Sequence, residues 1–142
     1  MTPKEYLHQL DSAESKIRAK KERLAVLREA AASTGAPSLS DMPRPAARYA
    51  SKIEDMTLKI IDLEEEIRGD EVCLCEDKAK VLELIGALDS PEHQMILIDR
   101  YFRKMSWEEI AKELNFSERW VYTQHGRALQ ELGKIQRKEN LE

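Results

Sequence analysis

Apolar residues recur three or four positions apart along two long stretches, and this sets the first constraint on the fold. Tyr6, Leu10, Ala13, Ile17, Leu24, Leu27 and Ala31 form one seam, broken by Lys20. Tyr49, Ile53, Met56, Ile60, Leu63, Ile67, Leu74, Val81, Leu84 and Leu88 form a second, broken at Asp70 and Asp77. A period near 3.5 sustained over many turns is the pattern of helices that bury one face against a partner helix. Pro3 to Ala32 is expected to be one helix, with Thr2 as its cap and Pro3 in its first turn. Ala46 to Leu88 is expected to be the other. At 1.5 Å per residue they would reach about 45 Å and about 63 Å. Between them, Ser33-Thr34-Gly35-Ala36-Pro37 and Pro43-Arg44-Pro45 cannot continue a helix, so a loop is expected at 33–45. The simplest arrangement is an antiparallel coiled-coil hairpin over residues 1–88. The longer second helix would then overhang the first, with Asp70 and Asp77 in the overhang. Ile61, Leu82 and Ile85 fall off the seam, which makes a homo-oligomer through the N-terminal coil an expected assembly.

Composition narrows the function classes. Only 6 % of residues are aromatic while 35 % are charged, and glycine and proline number five each, which favours helix over sheet. No run of about 20 apolar residues is present to span a membrane, and the first ten residues have no apolar signal core. A cytoplasmic protein is expected. Cys73 and Cys75 stand two apart in a helical pattern, so their side chains diverge, and two thiols alone do not make a zinc site. His8, His93 and His125 lack metal-ligand spacing, and a packing role is expected for each. No nucleophile–base pair and no phosphate loop is visible, so neither enzyme nor cofactor is expected. The net charge of −4 weighs against a grip on nucleic acid by bulk charge alone.

After Leu88 the pattern changes to short helices. Asp89-Ser90-Pro91-Glu92 reads as a helix start, with Ser90 as cap, Pro91 in the first turn and Glu92 at the positive dipole end. Met95, Leu97, Ile98, Tyr101 and Phe102 are its apolar positions. Ser106-Trp107-Glu108-Glu109 reads as a capping box opening a second helix. Asn115-Phe116-Ser117 closes that helix and caps a third, from Glu118 to about Arg137. Residues 89–142 are thus expected to form a separate helical domain of three to four helices.

The segment from Ser106 to Leu132 has the spacing of a helix-turn-helix. Ala111 stands where two helices cross closely. Asn115 stands at the turn, where a left-handed backbone is common and asparagine tolerates it. With Val121, Ala128 and Leu132 inward, the outward face of the last helix carries Glu118, Arg119, Tyr122, Thr123, Gly126 and Arg127, following Ser117. Arginine can donate two hydrogen bonds to a guanine edge or clamp a phosphate. Thr123 can touch a phosphate or a thymine methyl, and Gly126 lets the backbone approach. Ser106, Lys112 and Lys134 are candidate phosphate contacts. From Glu118 to Lys138 five basic residues stand against two acidic ones, a local excess that the net charge hides. Double-stranded DNA is the expected partner.

The stretch SPEHQMILIDRYFRKMSWEEIAKELNFSERWVYTQHGRALQELGK, residues 90–134, resembles region 4 of sigma-70-type factors, which reads the promoter −35 element. The whole chain is similar to phage and prophage transcription regulators of the ArpU or RinA kind, through YLHQLDSAESKIRAKKERLAVLREAA, KIEDMTLKIIDLEEEI and RYFRKMSWEEIAKELNFSERWVYTQHGRALQEL. The resemblance implies an all-α chain, a helical hairpin followed by a sigma region 4-like domain, acting on phage late or packaging genes. It places DNA contacts on Glu118, Arg119, Tyr122, Thr123 and Arg127. It also implies RNA polymerase as a partner, and a protein-interaction role as the competing reading. Glu118 and Tyr122 stand where sigma factors often carry basic residues, and Gln124 where related phage chains tend to be apolar. Nothing here resembles the promoter-melting sigma region 2.

Overall fold

The computed structural model describes residues 2–35 and 46–140, and all of its regular structure is helical. Helix α1 spans Pro3–Gly35 and α2 spans Ala46–Gly86. Helix α3, Pro91–Leu97, runs on into a wide π-helical turn, Ile98–Phe102, and α4 (Trp107–Leu114) and α5 (Glu118–Asn140) follow. The chain is all-α, with a long N-terminal helix packed on a second one and a helix-turn-helix at the C-terminal end. Helix α1 continues through Ser33 to Gly35, past its expected end. The rest of the expected loop, 36–45, lies outside the described residues.

The described chain divides into two compact units. One is Ala13–Leu74, and the other joins Met1–Ser12 to Cys75–Glu142. In the first unit α1 and α2 run antiparallel. Ile17 and Leu24 bury against Leu63 and Ile67, with Ile60 and Leu74 packed alongside. Ion pairs set the register: Lys20 Nζ lies 2.5 Å from Asp70 Oδ2 and 2.7 Å from Glu66, Lys21 lies 2.7 Å from Glu71, and Arg28 lies 2.5 Å from Glu64. Hydrogen bonds to Asp70 and then to Glu66 hold the Lys20 ammonium above its ordinary pKa. This corrects the overhang expected for Asp70. In the observed register Lys20 and Asp70 face each other, so each supplies the other's counter-charge at the helix interface.

The second unit holds the C-terminal helices together with both ends of the hairpin. Leu7, Leu10, Val81, Ile85, Leu88, Ile96 and Leu97 are all buried in it. Pro3 is part of the same packing, its ring 3.4 Å from where a Cβ would stand on Gly133 of α5. Ile85 is only 1 % exposed, contrary to the expectation that it would be left uncovered. Ile85 shares its unit with Leu7, Leu10, Val81 and Leu88, all of them buried. Ile61 and Leu82 are exposed, as expected.

Local chemistry accounts for the helix ends. The Glu5 amide donates to the Thr2 hydroxyl and the Thr2 amide to Glu5 Oε2, each at 3.2 Å, which is a reciprocal capping box. Ser90 accepts from the His93 amide at 3.3 Å with extended backbone angles, and Pro91 follows in the first turn. Gln94 reaches back to donate to the Leu88 carbonyl at 2.7 Å, satisfying an acceptor beyond the end of α2. The Arg103 amide bonds to the Ile98 carbonyl at 3.1 Å, five residues back, which is what widens the π turn.

The C-terminal core is Ile96, Ile110, Ala111 and Val121, with Met105, Trp107, Leu114 and Trp120 against it. Ala111 is 6 % exposed beside neighbours at 0 %. Three more carbons at this crossing would have to displace buried side chains. We therefore expect Ala111→Leu to lower stability by about 1–3 kcal/mol, read as a drop in melting temperature. An unchanged melting temperature would mean that α4 and α5 do not cross at Ala111.

Candidate nucleic-acid interface

The turn between α4 and α5 is built as its sequence demands. Ser106 caps α4: its hydroxyl accepts from the Glu109 amide at 3.2 Å and donates to the Glu109 carboxylate at 3.2 Å. Asn115 closes α4 in the left-handed region, φ 62° and ψ 40°. Its amide and that of Phe116 both return to the Ala111 carbonyl. Ser117 then caps α5, accepting from the Trp120 amide at 3.1 Å. A left-handed residue between two short capped segments swings α5 across α4, and packing at Ala111, Ile110 and Val121 holds that crossing.

This geometry decides which side chains of α5 face outward. Val121, His125, Ala128 and Leu132 are buried. Ser117, Glu118, Arg119, Tyr122, Thr123, Gly126 and Arg127 are all exposed, so every candidate contact on α5 and its cap is open to solvent. Ser106, Lys112 and Lys134 are exposed as well. Lys112 lies 3.5 Å from Glu108 one turn earlier, a surface pair of small energetic weight that a phosphate can displace. Thr123 donates to the Arg119 carbonyl at 2.9 Å, which leaves its methyl group and lone pairs outward. A Cβ on Gly126 would meet nothing within 4 Å, so packing within the chain does not require glycine there.

Aromatic side chains brace this face from beneath. The Trp107 ring meets Tyr122 edge-on at 5.3 Å and His125 edge-on at 4.7 Å. Tyr122 is nevertheless 64 % exposed, so its ring is held at one edge and presented at the other. Tyr101 and His125 stack at 5.7 Å and share a hydrogen bond of 2.8 Å between the Tyr101 hydroxyl and His125 Nε2. Burial, followed by the positive charges of Arg100 and Lys4, pushes the His125 pKa down to about 4. His125 is therefore neutral at neutral pH and is a packing and hydrogen-bonding residue. Phe116 stacks on Trp120 at 3.8 Å beside the turn.

The structure also brings in Lys4, Asp11, Arg100 and Lys104, which the sequence pattern did not single out. A cleft of about 490 Å³ next to Tyr122 is lined by Lys4, His8, Asp11, Arg100, Tyr101, Lys104, Trp107 and His125. Arg100 lies over the Trp107 ring at 4.3 Å and donates to the Met105 carbonyl at 3.0 Å, which fixes its guanidinium. Lys104, in a left-handed backbone conformation at φ 57°, pairs with Asp11. Lys4 is 118 residues from Tyr122 in the chain, so no local signal could have linked them. His93 is buried, with Nε2 2.7 Å from the Gln124 amide oxygen and Nδ1 3.3 Å from Glu131. This explains the polar residue at position 124, which is matched to a buried imidazole.

Among the described residues no group of three or more His, Cys, Asp or Glu is placed to hold a metal ion. No helix among them is long and apolar enough to cross a membrane. Cys73 and Cys75 are exposed free thiols.

Compared with known protein families, residues 88–134 match the family described as Sigma-70, region 4. The matched span starts at Leu88, before the Ser90 cap of α3, and ends at Lys134 in α5, so it contains the whole helix-turn-helix. Searches of curated proteins and of solved structures found no match.

Proposed function

We propose that this protein is a sequence-specific DNA-binding transcription regulator that inserts the face of α5 into the major groove. The observation that carries the reading is the exposure of Arg119, Tyr122, Thr123 and Arg127 on one side of the second helix of a capped helix-turn-helix. Arg119 and Arg127 would supply guanine-edge or phosphate contacts, and Tyr122 and Thr123 apolar and hydroxyl contacts. Ser117 and the first amides of α5, with Ser106, Lys112 and Lys134, would lie near phosphates. Lys4 and Arg100 add positive charge beside that face, while Lys104 is paired with Asp11. Residues 1–88 would serve assembly and residues 89–142 reading. The likeness to phage regulators of the ArpU or RinA kind supports a role at phage late or packaging genes in the cytoplasm of a bacterial host, with RNA polymerase as a further partner.

Phosphate contacts release counterions, so the log of the binding constant should fall linearly with the log of salt concentration. Three to five contacts give a slope of about −3 to −5. Fluorescence anisotropy of a labelled duplex between low and moderate salt checks this. A slope near zero would contradict phosphate-anchored binding. It would favour a second reading, a protein-interaction factor that binds polymerase or another protein. The net charge of −4 and the carboxylate of Glu118 at the head of α5 are the observations on its side.

A further inference from the structure

Helix α2 is apolar on two nearly opposite faces. One is the seam buried against α1, containing Leu63 and Ile67. A shift of two residues along a helix rotates the side chain by about 200°, and the positions two before the seam form a second stripe at the same three-and-four spacing: Leu58, Ile61, Glu65, Arg68 and Val72. Leu58 is 59 % exposed, Ile61 44 % and Val72 57 %, and Glu65 and Arg68 are exposed too. Among the described residues neither Glu65 nor Arg68 is paired with another charge. The stripe therefore has the heptad form of an interface, with apolar positions at both ends and one acid and one base at its centre.

We infer that this stripe is the self-association surface of the protein, on which a second copy packs with its α2 antiparallel to the first. The central charges select both occupant and direction. In a parallel pair in register, Glu65 would face Glu65 and Arg68 would face Arg68. In an antiparallel pair centred between them, Glu65 of each copy meets Arg68 of the other, twice by symmetry. The same register sets Ile61 against Val72, also twice. A stripe that complements itself in this way suits a two-fold dimer, and the charges define direction and register as they do in other helix pairs. Two of the acids alongside are neutralised within the chain. Glu64 and Glu71 are already held by Arg28 at 2.5 Å and Lys21 at 2.7 Å on α1. The inference does not rest on DNA binding.

The test is sedimentation equilibrium of the full chain without DNA, on the unaltered protein, Glu65→Arg, the double reversal Glu65→Arg/Arg68→Glu, and Ile61→Ser/Val72→Ser. All substituted positions are on the exposed stripe, and thermal melts followed by circular dichroism confirm folding. The unaltered chain should sediment at twice its 16.4 kDa. Glu65→Arg should weaken the dimer roughly tenfold or more, since it turns two attractive contacts into repulsive ones. The double reversal should restore the original affinity, and Ile61→Ser/Val72→Ser should give monomer. A monomeric unaltered chain would overturn the inference. So would a dimer indifferent to both charge variants, because a parallel pair keeps like charges opposed in every one of them.

Discussion

Replacing Arg119 and Arg127 together by alanine should cost about 2–5 kcal/mol of specific DNA affinity, with the fold intact. The two residues lie eight positions apart on α5, roughly 12 Å along the axis, so they would meet different bases or phosphates and their losses should nearly add. A well-placed arginine contributes about 1–3 kcal/mol. Both side chains are exposed, and neither belongs to the C-terminal core cluster, so the free energy of unfolding should change by less than about 0.5 kcal/mol. The salt slope should also become shallower, by about one unit for each arginine that contacts a phosphate and not a base. Titration of one duplex with both proteins at fixed salt measures the loss. Equal affinities would remove α5 from the reading face.

The second large effect concerns Asp99, a carboxylate that the fold keeps away from water. It sits in the π turn, fully buried, and neither of its oxygens accepts a hydrogen bond among the described residues. Arg103 approaches only to 4.0 Å. Burial first, and then the neighbouring carboxyl of Glu113, push its pKa up to about 6 against the weaker pull of Arg103. The folded state thus holds the Asp99 proton more tightly than the unfolded chain, whose value is near the ordinary 3.8. Stability from this group is complete below about pH 4 and is lost as pH rises through about 6. Above that range the fold carries a buried charge. Asp99→Asn removes the ionisation, so it should stabilise the protein by about 1–3 kcal/mol at pH 8. The gain should shrink toward zero by pH 4. Melts of both proteins across this range check the shape. A pH-independent difference would mean that Asp99 does not ionise in the folded chain.

Features fixed by neighbouring residues were legible in the amino-acid sequence. The Thr2, Ser90, Ser106 and Ser117 caps, the left-handed Asn115 and the small residue at Ala111 each follow from bonds spanning a few positions. The periodicity likewise identified the long helices and the outward face of α5. What escaped depended on residues far apart in the chain. Lys20 and Asp70 read as two separate flaws because neither seam reveals the register that brings them together. Ile85 is buried in the unit that holds both ends of the hairpin and the C-terminal helices, a grouping that no local pattern reveals. The apolar run from Met95 to Phe102 did not show that Asp99 points inward, because the π turn shifts the helical phase within it. Lys4 and Arg100 lay outside the helix-turn-helix pattern, although they line the cleft beside Tyr122.

The most direct test of the central claim is capture of sheared source-genome DNA by the purified protein at moderate salt, followed by sequencing, in parallel with the Arg119→Ala variant. Site-specific reading through α5 predicts enrichment of one short region that the variant loses. A folded protein that enriches no region above background, or a variant that enriches the same region equally well, would contradict it.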